Sequence, residues 1–575
     1  MKLIWKYMRP FAGRMSVGLL IKTVGTMMDL LLPMILEHLI DEVVPKENMR
    51  EILFWGILMV IFAVIGLLGN VIANRMAALV ARNCAREIRH DLFDKTLRLS
   101  ARQVDEFTIP SLESRLTSDT YNVHHFVGMI QRLGVRAPIL LVGGIVLTIG
   151  LDPGLSAVML VTLPFITVVV WQVSKRSIPL YTEQQRATDR MVRVVREDSQ
   201  GIRVIKALSK KDYERRRFDG VNRGLVAAEK KAALAVAVSN PLMSLFLNVG
   251  LTAVIVVGAF RISAGETKIG MIISFLSFFT LITNALLSVT RMFVMSSKSS
   301  ASAARIAQVL NTPDDLEVLP FDPAEVEPDA PAIEFRDVGF SYSSNGAGES
   351  LGDISFTVER GKTLGVIGAT GSGKSTLAML LMRFYDVNRG AVLINGRDVR
   401  TYPADELHSM FGVVLQNDFI YAGTVEDNVT FGRKVDEERM KLAAAVAQAD
   451  FIEAFDEGWQ RMLTSKGTNV SGGQKQRLLI TRAVAGNPEI LILDDSSSAL
   501  DYRTDAGLRK AINTKLRGTT KVIIAQRVSS VMNADMIIVL DHGRIIGSGT
   551  HDELIAGCPV YREISESQMG GDVLE

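Results

Sequence analysis

The run GATGSGKS at 368–375 sets three glycines, a lysine and a closing serine in the spacing GxxxxGK[ST]. Gly368, Gly371 and Gly373 let the backbone curl, so that the N–H groups of the loop, Thr370 and Ser372 included, and of the helix start at Thr376 converge on a phosphate. Lys374 has the charge and reach for the β- and γ-phosphates, and the Ser375 hydroxyl suits Mg²⁺. The apolar TLGVIG before the run and TLAMLLMRF after it read as strand and helix, the context this loop requires. The chemistry implied is binding of ATP with Mg²⁺.

A second apolar strand, ILILDD at 490–495, ends in two carboxylates. Alone, such an ending is equally a helix cap or turn. Beside the phosphate loop, Asp494 becomes the residue that holds Mg²⁺ through water. Between these two segments lies SGGQKQR at 471–477, where Ser471, Gly472, Gly473 and Gln474 offer a hydroxyl and unobstructed amides at a helix N-terminus.

These groups need an α/β scaffold, and the last 240 residues, with alternating strand and helix patterns and Gly-rich turns, read as an α/β P-loop domain over 332–575. The first 300 residues are different. Six apolar stretches, about 15–40, 52–74, 127–150, 155–174, 238–260 and 269–293, are each long enough to cross a bilayer. Lys22 and Asp29 interrupt the first, Arg132 and Arg136 the third. The chain therefore reads as an α-helical transmembrane domain (1–310), an acidic, proline-rich linker (311–331) and the nucleotide-binding domain. A length of 575 residues and a mean hydropathy of +0.23 agree with two domains in different solvents.

Lys and Arg crowd segments 75–126 and 175–233 and are absent from the turn LDPG at 151–154, which predicts both termini in the cytoplasm. The basic start MKLIWKYMRPFAGR reads as an amphipathic elbow at the cytoplasmic surface. No proline falls between Glu51 and Ile109 or between Leu180 and Asn240, so helices are expected to run far beyond the bilayer, with breaks near Pro110 and Lys211. Lys22 and Asp29 read either as a polar lining or as a snorkelling lysine and a structural contact. Pro33, Pro138, Pro164 and Pro241 are expected at kinks, and Met27, Met28, Phe246, Phe275, Phe278 and Phe279 are available to line a cavity. A net charge of +2 gives no reason to invoke nucleic acid, and Cys84 and Cys558 alone support neither a disulfide framework nor a cysteine zinc site.

With SGGQ between a phosphate loop and ILILDD, and six membrane segments ahead, the chain resembles half-size ATP-binding cassette exporters, with their type IV transmembrane fold, over its whole length. The resemblance implies a multi-pass protein of the cytoplasmic membrane, in contact with lipid, that works as a dimer. The SGGQ of each subunit would face the γ-phosphate of ATP bound to the other. It further implies that Tyr342 stacks on adenine, although a strand core residue is the alternative. Gln416 would contact Mg²⁺ or the attacking water, Asp501 would communicate between the two sites, and the breaks near Pro110 and Lys211 would be coupling helices.

Three positions depart from that family. Asp495 stands where it carries the glutamate that polarises water, Gln526 where it carries a histidine against the γ-phosphate, and Ser465 where it usually has glutamate. A carboxylate one methylene shorter ends about 1.3 Å from where it is needed, and misplacement on that scale costs about a hundredfold in rate. Gln526 donates a hydrogen bond but never becomes a cation. Both losses fall on hydrolysis. The expectation is the degenerate-site half of a heterodimeric bacterial exporter of small hydrophobic or amphipathic molecules, drug or lipid. The partner would be a second half-transporter that supplies glutamate and histidine. The alternatives are a homodimer that hydrolyses slowly and a non-transporting membrane regulator. An importer fits less well, because importers usually keep their membrane subunits on separate chains.

Overall fold

All six apolar stretches are helical in the computed structural model, which describes residues 1–237, 239–322, 329–342 and 348–569. The helices are Ala12–His38, Met49–Arg98, Thr120–Pro138 with its continuation to Leu151, Pro153–Gln200, Ser239–Ser263 and Ile269–Leu310. Among the described residues five helical stretches are long and apolar enough to cross a membrane: Lys2–Lys46, Met49–Arg98, Ile109–Leu151, Ser244–Ser263 and Ile269–Leu310. The fourth predicted segment lies in Pro153–Gln200, whose described apolar part, Pro153–Val169, is shorter. Met49–Arg98 has 50 residues. At about 1.5 Å per residue it is about 75 Å long, well over twice the hydrocarbon thickness of about 30 Å. Exposed Leu53, Phe54, Ile57 and Val60 give that helix a lipid-compatible face.

The chain folds as two units, Met1–Leu97 with Pro110–Thr312, and Arg98–Ile109 with Pro313–Glu575. In the first, Leu30, Leu140, Met159, Ile166, Phe278, Phe279 and Ile282 interlock in one core. Phe275 packs with Leu155 and Val254. Phe275, Phe278 and Phe279 are fully buried between helices, so they do not line an open cavity of this chain, one of the two roles their composition allows. Gly25 lies against Gly66 and Gly69, bringing the first two helices close. Pro33 and Pro164 fall inside helices, and Pro138 directly precedes a π-helical segment, Ile139–Gly143. Pro241 instead sits in the first turn of Ser239–Ser263, where its missing N–H costs little.

In the second unit a six-stranded sheet has the order Phe411–Val414, Ile490–Asp494, Thr520–Ile524, Thr363–Gly368, Met536–Asp541, Arg544–Gly549, parallel except for the last, antiparallel strand. Ile524 pairs with Val366 on one side and Asp494 on the other. The carboxyl ends of the three strands that lead into the phosphate loop, Asp495 and Gln526 are therefore neighbours, where open α/β sheets bind ligands. A four-stranded antiparallel sheet, Leu351–Val358, Ile333–Phe340, Arg389–Ile394 and Arg397–Asp398, completes this unit's core.

The short helix expected near Pro110 forms just before it, at Ala101–Phe107. Ser100 and Gln103 cap its start reciprocally, and Pro110 stands in the first turn of the next helix. Residues 98–109 pack with the nucleotide-binding domain: Ser100 Oγ donates to Asp315 at 2.8 Å, Gln103 Nε2 to the Pro313 carbonyl at 2.7 Å, and Tyr385 to Asp105 at 2.8 Å. The second break likewise precedes Lys211, with the short helix at Ile202–Ala207. The start of the linker lies on the same unit as residues 98–109, with the Glu317 carbonyl bonded by Arg383 at 2.7 Å and the Arg397 guanidinium 4.0 Å from the Phe321 ring centre. Residues 323–328 of the predicted linker lie outside the described residues.

Candidate nucleotide-binding site

The phosphate loop turns at Gly371 (φ 83°) and Gly373 (φ 102°), a backbone region that strongly favours glycine. A Cβ at Gly373 would come within 2.6 Å of Leu351, and one at Gly368 within 2.1 Å of the Leu540 carbonyl. The helix Lys374–Leu381 then starts with its free N–H groups toward the loop. Lys374 Nζ donates to the carbonyls of Gly368 and Ala369 at 2.8 and 2.7 Å, which holds the ammonium at the loop. Ser375 Oγ donates to Asp494 Oδ2 at 2.8 Å.

A cleft of about 550 Å³ opens over this loop, lined by Tyr342, Thr370, Gly371, Gly373, Lys374, Ser375, Thr376, Gln416 and Gln526, with a few residues given below. Gly368 and Ser372 stand behind its wall, Ser372 being buried. Tyr342 is half exposed. Its hydroxyl donates to Thr376 Oγ1 at 3.1 Å, and its ring is braced edge-on by Phe340 and Tyr385, leaving surface free for a flat base.

Asp494 is buried, and burial pushes its carboxyl above the usual range, opposed by the Ser375 bond and reinforced by Asp495. Asp495 is also pushed up by burial, against the pull of Arg527 and Lys374. Lys374 is pushed down by burial, against the pull of both carboxylates. A bound divalent cation would relieve the crowding of negative charge. Ser375 and Asp494 offer it hard oxygen donors side by side, which suits Mg²⁺. Among the described residues no group of three or more His, Cys, Asp and Glu is arranged to hold a metal by itself, so water and phosphate would complete its shell.

Ser471 and Asp501 stand outside this cleft. Ser471 is exposed and caps the helix Gly472–Ala485 in a reciprocal box with Gln474, at 3.2 and 3.0 Å. Asp501 caps Tyr502–Lys515 through Thr504, whose N–H and hydroxyl hold its carboxyl below the usual range. Ser465 is exposed in the segment ahead of the signature.

Sequence reasoning missed several residues. His542 and Gly543, with Gly348, Glu349 and Ser350, also line the cleft. His542 and Gly543, both with positive φ, make the two-residue turn of a hairpin, but only the fold brings the Gly543 N–H to the Ser372 carbonyl at 3.2 Å. Arg482, on the helix that Ser471 begins, donates to Asp418 at 2.6 Å and to the Phe419 carbonyl at 2.9 Å, fastening the loop that carries Gln416. Gln568 donates to the Gln526 carbonyl at 2.9 Å and accepts from the Val528 N–H at 2.8 Å. None of these partners has a local signal in the sequence.

Known proteins share this organisation. Residues 15–286 match the ABC transporter transmembrane region, and residues 351–498 the ABC transporter family. An uncharacterized ABC transporter ATP-binding protein of Mycobacterium tuberculosis is 34% identical over 571 residues, 98% of each chain. One of Bacillus subtilis is 31% identical over 566 residues, again 98% of each. The fold is that of a bacterial Atm1-family ABC exporter solved with ATP bound, with a TM-score of 0.81 at 22% identity over 96% of this chain and 97% of that one. With a helical membrane domain fused to a P-loop ATPase domain and relatives matched end to end, the chain belongs to the ABC transporter family.

Proposed function

We propose that this chain is the degenerate-site half of a heterodimer that exports a hydrophobic or amphipathic compound, drug or lipid, across the cytoplasmic membrane at the expense of ATP. Export agrees with the fold shared with an Atm1-family exporter. In this reading Lys374 and the loop amides hold the phosphates, Ser375 and Asp494 hold Mg²⁺, Gln416 meets the metal or the attacking water, and Tyr342 carries the base. Both termini lie in the cytoplasm.

The observation that carries the degenerate-site reading is the pair Asp495 and Gln526 at the carboxyl ends of adjacent strands. This site binds ATP well and turns it over slowly, because the shorter carboxylate orients water poorly and the neutral amide leaves developing phosphoryl charge uncompensated. The intact Ser471–Gln474 segment then serves the partner's nucleotide, through its hydroxyl and helix N-terminus.

The test is ATP-dependent movement of fluorescent amphiphiles in inside-out vesicles that hold this chain with its co-expressed partner. Accumulation that needs ATP and both chains supports the proposal. ATP binding without movement of any compound contradicts it in favour of a regulator.

A further inference from the structure

The first and third membrane helices carry three cations, Lys22, Arg132 and Arg136, and the carboxylate Asp29 within their spans. Lys22, on the first membrane helix, is 2% exposed, and its ammonium donates to Asn74 Oδ1 on the second at 3.1 Å. About two turns along the same face, Asp29 accepts from Arg136 on the third helix at 3.1 Å and from Asn70 at 3.4 Å. Arg132, one turn before Arg136, is half-buried with its guanidinium against Gly128 beside Ala81 of the second helix, and has no hydrogen bond or ion pair among the described residues. Of these three cations, Arg136 alone is bonded to Asp29 among the described residues. Arg136 Nε is buried without a partner.

Three other acids near the ends of the membrane helices are engaged elsewhere. Asp152 pairs with Arg261, Asp41 accepts from the N–H groups of Gly270 and Met271, and Glu42 pairs with Lys268. Asp29 stands 17 residues, about 25 Å at about 1.5 Å per residue, before the end of its helical stretch at Lys46, well inside a span long and apolar enough to cross a membrane. Cations at that depth are costly and persist where a cavity, partner or substrate meets them. Guanidinium groups suit phosphate and carboxylate oxygens because they donate in a planar fork.

We propose that Lys22, Arg132 and Arg136 form an anion-recognising part of the substrate path, and that the transported compound is an amphiphile with a phosphate or carboxylate headgroup. Asp29 positions Arg136, and Arg132 is the group free to meet the ligand. This deepens the export reading and rests on it for the transport step alone, since the binding site has its own readout.

The experiment uses the full chain with its co-purified partner in a neutral maltoside detergent. Binding of a fluorescent lysophosphatidate is compared with that of the lysophosphatidylcholine of the same tail. The expected preference for the phosphate headgroup is about tenfold or more, the scale of one charge-assisted hydrogen bond. Arg132→Gln, which removes no hydrogen bond or ion pair among the described residues, should abolish most of that preference and leave the choline probe unchanged, and Arg132→Lys should restore part of it. Arg136→Gln is the second variant. Equal affinity for the two headgroups, or a preference that survives both glutamine variants, overturns the proposal. So does a dimer that dissociates in Arg132→Gln, which assigns the arginine to an acid of the partner. Displacement of the probe by inorganic phosphate as readily as by unlabelled lysophosphatidate makes this a free-anion site and overturns the amphiphile assignment. Headgroup-selective binding without ATP-dependent movement in vesicles sinks export and keeps the site, whereas movement without selectivity sinks the site alone.

Discussion

The backbone N–H of Asp495 donates to the carbonyl of Ile524 at 2.9 Å, two residues before Gln526. Asp495 leaves its strand in the left-handed region, φ 51°, which aspartate tolerates better than most residues. Asp495 and Gln526 are thus held on adjoining chain ends, and the backbone fixes where the Asp495 carboxylate begins.

Loss of the Lys374 ammonium should weaken ATP binding by roughly 10- to 100-fold, the scale of a charge-assisted phosphate contact. Titration of Lys374→Ala with a fluorescent ATP analogue, with the partner's site blocked, measures it. Unchanged affinity at this chain's site would refute the assignment.

Asp494 should cost the nucleotide-free protein stability. Its native carboxyl is raised above its unfolded value, so its contribution is full below the ordinary carboxylate range and is lost as pH rises through the native value. At neutral pH the burial penalty is fully felt. Asp494→Asn should therefore raise the unfolding temperature of the ATPase domain at pH 7 by about 2–4 °C and flatten its dependence between the ordinary and raised values. It should also abolish the extra stabilisation that Mg²⁺ adds to ATP. Scanning calorimetry of the full chain, with and without Mg²⁺-ATP, reads both effects. A fall in stability at pH 7 without nucleotide would contradict this account.

Ser471→Arg should lower the ATPase rate of the dimer by about a hundredfold, because a bulky cation at an exposed helix start obstructs closure over the partner's γ-phosphate. On the proposed reading, in which the shorter carboxylate orients water poorly, Asp495→Asn should change the rate little. Equal damage from the two changes would count against a site shared between subunits.

What the sequence made legible was local. The spacing of Gly368, Gly373, Lys374 and Ser375 specifies a strand, loop and helix without reference to the rest of the chain, and apolar runs of bilayer length identify membrane helices by themselves. What it left hidden depends on partners far along the chain. Tyr385 and Asp105 are 280 positions apart, and although the break near Pro110 suggests a short helix that touches the ATPase domain, nothing near either residue names the other as its partner. The same holds for Arg482 and Asp418, which tie the signature helix to the Gln416 loop. Phe275, Phe278 and Phe279 have a composition that suits a cavity or a core equally, and only helix packing decides for the core.

The central claim is that this chain binds ATP but relies on a partner for fast hydrolysis, and steady-state ATPase rates of the chain alone, of the heterodimer and of two variants test it most directly. The chain alone should be slow and the heterodimer faster by about a hundredfold, the cost of a misplaced catalytic carboxylate. Changing only the partner's catalytic Glu to Gln should remove most of the heterodimer's turnover. Asp495→Glu with Gln526→His should raise hydrolysis at this chain's own site, because both residues stand on the strand ends that frame the phosphate loop. A pure homodimer of the unmodified chain that hydrolyses ATP as fast as the heterodimer would show that Asp495 suffices, and the degenerate-site account would be wrong.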